Sequence, residues 1–487
     1  LGLQSNLDFD HNEYLPGTIF GTTMLTSLFQ LVQTRNCIAD KKNAPYSFSG
    51  IVARFAVTVC CGCLPTGQGL ICAADEPRES QTNAIDDAER QELPVVIAVS
   101  EGWSKWRGAR GDAQVVGLPK KWSEPERLWR FPLESNGVGG VALSQEIVVV
   151  SSRDIQDRSD LFLALDAETG VELFRHQYPS TLALDYGNSP RSTPLVLENQ
   201  IITLGAGGEI TALDLETGKP IWTKHLVKDL GGKMPAWGYS ASPIVYENTL
   251  IVQAGGPSSA LVGLNLETGE TEWRTSGRQA AYSSPILMRH NGSAQLLGCD
   301  DKSFGAWSAI DGKRLWELKL PIDRDFNVPS PLVVKNNLFI VSENNGALLY
   351  DLPEISEEGD NVKQQLKLLA QSDALSHDAN SPVTVGDYIA SVHEGLVLLD
   401  PNQGLKTVDQ WNDPSLHSYS SIIVENERML ITCCDGAVIL LEVSKGKIKE
   451  LGRMQCEESK GDLLAHSAFD QGVLIVRGPL WVDAYRW

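Results

Sequence analysis

Cationic residues are in short supply in this chain. Lys and Arg number 41 against 62 Asp and Glu, a formal net charge of −21. A non-specific nucleic-acid binder needs a basic footprint, so that class is excluded. The acidic balance suits a soluble protein kept apart by self-repulsion. The short motifs of catalysis are lacking as well. No GxSxG, HExxH or P-loop occurs, and the eight His show no metal-ligand spacing. Enzymatic function therefore has no positive support at residue level. Cysteine is sparse and uneven: Cys37, Cys60, Cys61, Cys63 and Cys72 precede residue 75, while Cys299, Cys433, Cys434 and Cys456 follow it. The later four contain no paired CxxC with zinc spacing, which argues against a structural zinc site.

What is present is turn chemistry. With 43 Gly, 24 Pro, many short apolar runs and few long helical patterns, the chain reads as all-β. Its 487 residues exceed the usual single domain, but a closed repeat array escapes that limit because each unit shares a core with its neighbours.

Residues 1–40 start on Leu and carry no periodic pattern; they read as unstructured or as a start assigned too early, with Met24 as one alternative. Residues 41–74 read as a signal peptide. Lys41, Lys42 and Arg54 form a positive region, Phe55 to Leu64 an apolar one, and Ala74 closes a small-residue cleavage context. The stretch is too short to span a bilayer stably, and a buried strand is the alternative. Cys63 after Gly62 raises lipid anchoring, although the Leu expected three positions earlier is missing. Residues 75–100 are polar and acidic, and read as a linker.

From residue 101 the chain repeats. LFLALDAETGVELF (161–174), ITALDLETGKPIW (210–222), LVGLNLETGETEW (261–273) and FGAWSAIDGKRLW (304–316) share an apolar strand and a tight turn ending in Gly. An aromatic follows four residues later: Phe174, Trp222, Trp273 and Trp316. Gly170, Gly218, Gly269 and Gly312 supply the positive φ such a turn needs. Asp166, Asp214 and Asn265 sit where a short side chain bonds turn amides. A Ser-Pro-like anchor opens each unit, near residues 140, 193, 242, 284, 330, 381, 421 and 467. The period, roughly 40 to 50 residues, is that of a four-stranded propeller blade. The last unit lacks a fourth strand, and ERLWRFPLE (126–134) has the look of one. The spacing therefore predicts an eight-bladed β-propeller over 101–487, with the ring closed by that N-terminal strand. Seven blades follow if one degenerate unit fails.

ALDAETGVELF and ALDLETGKPIW resemble the pyrroloquinoline-quinone-like (PQQ-like) repeat, Ala-x-Asp-x-x-Thr-Gly-x-x-x-Trp, over roughly residues 101–487. That superfamily includes quinoprotein alcohol dehydrogenases, BamB-like outer-membrane assembly factors and non-catalytic secreted propellers. WSKWRGARGDAQVVGLPKKW (103–122), YGNSPRSTP (186–194), WGYSASP (237–243) and AYSSP (281–285) resemble the secreted BamB-like propellers of planctomycetes and related bacteria. The resemblance implies an exported, periplasmic or secreted scaffold for protein or peptide partners, with peripheral membrane association open and a monomeric state expected. β-Augmentation at a blade edge is one mode of binding. The alternative within the superfamily is an alcohol dehydrogenase holding pyrroloquinoline quinone and calcium; otherwise no cofactor is expected.

Loops entering the Ser-Pro strands fall on one face, and their residues are expected to converge toward the ring axis. They carry Tyr186, Asn188, Arg191, Trp237, Tyr239, Tyr282, Asn327, His377, Asn380, His417, Tyr419 and His466. Converging polar and aromatic groups suit a ligand or peptide site; simple filling of the channel is the alternative. Arg191 is suited to grip a carboxylate with two donors, and Trp237 to stack on a planar ligand. Asp300 with Asp301, Asp323 with Asp325, and Asp378 with Asn380 have the composition of calcium ligands. Cys433 and Cys434 are similar to the adjacent-cysteine pair of the quinoprotein dehydrogenases. Neighbours in a strand point to opposite faces, however, so buried free thiols are expected.

Overall fold

The repeat unit folds as its pattern dictates. In a computed structural model the described residues are 102–144, 146–322, 325–353, 366–377, 379–456 and 462–487. The expected signal peptide, linker and leading residues lie outside them, as do Asp323 and Asp378. The described strands form eight antiparallel sheets of four strands each. Seven are built from consecutive strands, over residues 142–179, 195–225, 244–274, 286–318, 332–372, 383–411 and 421–455. In the eighth, Ala468–Asp470, Val473–Arg477 and Trp481–Arg486 are completed by Glu126–Pro132, which pairs antiparallel with the last of them. The eight-bladed ring closed from the N-terminal side is thus the observed architecture. The second and third strands are buried along nearly their whole length, and the fourth alternates, because only the outermost strand has a solvent face.

Each turn works as its residues require. Gly170, Gly218, Gly269 and Gly312 have φ between 66° and 70°. Asp166 and Asp214 accept the Thr169 and Thr217 amides at 2.7 and 2.8 Å, and Asn265 accepts that of Thr268 at 3.1 Å. The turn Gly has a second duty: the aromatic of the preceding blade lies on it. Phe174 covers Gly218, Trp222 covers Gly269 and Trp273 covers Gly312; a Cβ on Gly269 would stand 2.6 Å from the Trp222 ring. Trp222 also donates its indole N–H to Leu266 O at 3.0 Å. Sequence drift keeps this contact with another side chain, since Val408 covers Gly446.

The same device closes the ring. Trp129, on the N-terminal strand of the eighth blade, lies over Gly170 of the first and donates to Ala167 O at 3.0 Å. Within the eighth blade Arg130 grips the fully buried Asp483 through Nε and Nη2, both at 2.6 Å. Arg477, 1% exposed, reaches from the eighth blade to the carbonyls of Ser151 and Gly137.

The Ser-Pro anchors explain themselves at the inner strands. Proline has no N–H to leave unsatisfied, and the serine hydroxyl serves the neighbouring blade. Ser242 Oγ accepts Thr193 N–H, and Ser284 Oγ accepts Ser242 N–H, both at 2.9 Å; Ser381 Oγ accepts Ser330 N–H at 3.0 Å. All five residues are buried. Ser242→Ala strands one buried amide, so the free energy of unfolding should fall by about 1–3 kcal/mol. Urea denaturation reads this directly, and a change within experimental scatter would contradict the relay.

The channel is filled by the chain itself. Trp103 O accepts Leu143 N–H of the first blade, and Ser104 O accepts Val196 N–H of the second. Trp106 donates to Ser330 Oγ at the fifth and packs on His466 at the eighth, with ring centroids 4.5 Å apart. Arg107 and Gln114 reach Pro382 O and Thr384 O of the sixth. Ala113 and Val115 bond Val424 of the seventh. A segment that touches the inner strands, or the loops leading into them, of six blades runs through the centre of the ring. Trp103, Ser104, Lys105, Arg107 and Ala113 are buried there. The loop residues were expected to converge toward the ring axis; residues 102–118 lie against the inner strands there.

Candidate functional site

Four antiparallel strands bring the chain back to the end where the blade began. Every connection from a fourth strand to the next first strand therefore lies on one face of the ring. The residues singled out on these connections divide into two groups.

One group is committed to holding the loops in place. Tyr239 is 3% exposed and its hydroxyl donates to Ala254 O at 2.9 Å. Asn327 donates to Asp300 O at 2.9 Å, and its own carbonyl accepts Ser283 N–H. Asn380 donates to Ser420 O at 2.6 Å and accepts from Ser391 Oγ and Val392 N–H. Asn188 donates to Asp157 Oδ2 at 2.6 Å and accepts from Leu184 N–H. His377 is buried with Nε2 on Ser391 Oγ at 3.0 Å, and its ring lies 5.8 Å from that of His393. Burial, with a smaller contribution from His393, pushes the His377 imidazole down to about 4.

The second group faces outward. Trp237, on the connection into the third blade, lies 5.2 Å from the ring of Tyr282 on the next connection. It lies 4.6 Å from Phe326 on the one after that. Trp237 N–H donates to Tyr282 Oη at 3.4 Å, and Ser240 Oγ to Tyr282 O at 3.0 Å, which ties the first two loops together. Phe326 is 45% exposed and Tyr186, on the connection into the second blade, 73%. Arg191 lies within electrostatic reach of Tyr282. Its Nη2 is already bound to Asp185 O and Gly187 O, and its Nε is buried without a partner. The open two-donor fork expected of Arg191 is therefore not presented, because its own loop holds one arm. His417 and Tyr419 stack at 5.5 Å on the connection into the seventh blade.

Phe326 was not among the expected site residues, although its signal was present. It precedes the Ser330 anchor by four residues, much as Trp237 precedes Ser242 by five and Tyr282 precedes Ser284 by two.

Of the oxygens considered for calcium, those of Asp300 and Asp325 are already bound within the protein. Asp300 Oδ2 accepts from Arg278 at 3.0 Å and Arg314 at 2.8 Å, while Oδ1 accepts from Lys302 N–H and Ser303 Oγ. Both oxygens of Asp325 accept from Asn344 and Asn345. Among the described residues no group of three or more His, Cys, Asp or Glu is arranged to hold a metal. Cys299, Cys433, Cys434 and Cys456 are buried free thiols, pushed up to about 11 or 12 by burial. The expectation for Cys433 and Cys434 holds, each thiol being enclosed.

Comparison with known proteins agrees with this geometry. The family described as outer membrane protein assembly factor BamB matches residues 123–229 and 187–378, together more than half of the chain. BamB of Burkholderia pseudomallei is 23% identical over 257 residues, 51% of this chain and 62% of that protein. An uncharacterized protein of Rickettsia prowazekii is 27% identical over 23% of this chain and 24% of its own length. The chain thus spans less than two thirds of either curated relative. Among solved structures, BamB from Moraxella catarrhalis aligns with TM-score 0.51 at 15% identity, over 75% of this chain and all of that one. Quinohemoprotein alcohol dehydrogenase from Comamonas testosteroni aligns with TM-score 0.55 at 12% identity, over 79% and 80%. At such identities the alignments speak to the fold alone.

Proposed function

Because this chain belongs to the family described as outer membrane protein assembly factor BamB, we propose that it is a non-catalytic propeller scaffold that docks a protein segment on its loop face. The observation that carries this is the cluster of Trp237, Tyr282 and Phe326. Three successive loops meet in ring contact while Phe326 stays half exposed. Aromatic side chains offer large contact area at small entropic cost, which is why they dominate interface energetics. Tyr186 and the charge of Arg191 beside Tyr282 extend the patch, and favour an extended segment bearing aromatic and acidic residues.

Under this reading the protein acts in the cell envelope, periplasmic or secreted, as a monomer at most peripherally associated with a membrane, and uses no cofactor. The kinship with assembly factors named for the outer membrane supports that setting. The commitment of Asp300 and Asp325 to internal partners supports the lack of a calcium-bound quinone.

The test is capture of partners from envelope extracts, by photo-crosslinking from the exposed position 186, with otherwise wild-type protein compared to Trp237→Ala/Phe326→Ala. Loss of two hot-spot aromatics should weaken capture at least about tenfold, with the unfolding midpoint barely moved. Equal capture by the variant would sink the docking face. Saturable stabilisation by quinone plus calcium, with dye-linked alcohol oxidation, would sink the non-catalytic reading.

A further inference from the structure

The segment that fills the channel carries a charge its surroundings do not match. In a chain of net charge −21, residues 102–118 hold Lys105, Arg107 and Arg110 against Asp112 alone. Lys105 is 9% exposed and Arg107 3%. Asp112 is close enough to both for its charge to be felt. Its carboxylate is nevertheless bound to Arg110 Nε at 3.3 Å and to Gln114 N–H at 3.0 Å. No ion pair reaches Lys105 or Arg107 among the described residues. Arg107 Nη2 donates to Pro382 O at 2.5 Å, but Nη1 is buried with no partner at all.

The blades do not supply the missing charge. His466, packed on Trp106, feels the Arg107 charge, and burial together with that charge pushes it down to about 4. It is neutral at ordinary pH and cannot serve as counter-charge. Asp470, beside Gly102 at the other end of the segment, has a partner of its own. A guanidinium cannot neutralise by losing its proton, and an unpaired buried charge is costly unless something compensates it.

We propose that the channel segment is an anion site, in which a small oxyanion, phosphate or carboxylate, is bound by Arg107 Nη1 with Lys105 as the second cation. Oxyanions match the donor geometry of a guanidinium and the point charge of an ammonium. The segment bridges six blades, so an anion that neutralises it stabilises the whole ring by mass action. This site is separate from whatever the aromatic loops bind.

The experiment uses the full chain, with inorganic phosphate and acetate titrated separately at constant ionic strength. Calorimetry should show saturable one-to-one binding of at least one anion, and the thermal midpoint should rise with it. Arg107→Gln and Lys105→Met should each weaken binding at least about tenfold, while Lys319→Ala, at an exposed cation at the end of the fourth blade, leaves it unchanged. If either channel variant fails to fold, the wild type still decides. Burial pushes Lys105 down to about 8 against the pull of Asp112, so affinity for acetate should fall several-fold between pH 7 and pH 9. The other charged groups of the segment are Arg107, Arg110 and Asp112; Arg107, lowered by burial to about 10, keeps most of its charge over that range, and His466 stays neutral. Binding of phosphate alone or acetate alone supports the site and names its class. No saturable binding, equal affinity in folded variants, or acetate affinity unchanged across that range would overturn it.

Discussion

Truncating Trp129 to alanine should lower the free energy of unfolding by about 3–5 kcal/mol, the range for emptying a large buried aromatic site. Trp129 is 8% exposed, fills the contact over Gly170 and donates to Ala167 O. Its place makes the loss more than local. Trp222 joins two blades each built from consecutive strands, whereas Trp129 sits on the N-terminal strand that completes the otherwise C-terminal eighth blade, and so seats that blade on the first. The strands Glu126–Pro132 and Trp481–Arg486, paired across almost the whole chain, should exchange amide protons faster than the central blades in the variant, because closure of so long a loop is the contact with least local support. Urea unfolding and hydrogen exchange read the two parts of this prediction. A cost under about 1 kcal/mol, or uniform exchange around the ring, would show that Trp129 is not a closing contact.

Acid should destabilise the protein well before its ordinary carboxylates titrate. His377 and His466 are both pushed from 6.5 to about 4, by burial first. Between those values the unfolded chain takes up protons on both side chains while the folded chain refuses them. Their contribution to stability is therefore complete above pH 6.5 and is lost as pH falls toward 4. Each histidine accounts for about 3 kcal/mol across that window. Unfolding midpoints measured at intervals from pH 7 to pH 4 should fall accordingly. His377→Gln or His466→Gln should flatten the slope by about half while lowering stability at neutral pH. An unaltered slope in both variants would contradict the assignment. The two groups differ in consequence, since His466 lies against the channel segment through Trp106 and His377 holds Ser391.

Much of the architecture was legible because propeller blades are written in local chemistry. Gly170, Gly218 and Gly269 each mark a positive-φ turn, and an acid or amide four residues earlier accepts turn amides. Both are short-range requirements that a single blade imposes on its own sequence. The count of eight and the closing strand were also legible, because a missing fourth strand at one end and a spare Leu-Trp-Arg at the other leave one economical arrangement. The loop face was half legible. Tyr239, Asn327 and Asn380 look like ligand-binding residues in sequence, but their polar groups are consumed by neighbouring backbone. Phe326, not among the expected site residues, completes the ring cluster.

What the sequence by itself determined is the blade: its turn, its stacking aromatic and its Ser-Pro anchor, each set by backbone geometry within about 50 residues. What only the tertiary structure decided is the interior of the ring. Trp103 to Gln114 show no periodicity, and nothing local tells them where to go. Their partners, from Leu143 and Val196 through Ser330, Pro382 and Val424 to His466, are spread over six blades and come together only once the ring has closed. The burial of Lys105 and Arg107, and the neutral state of His466, follow from that closure and from nothing nearer in the chain.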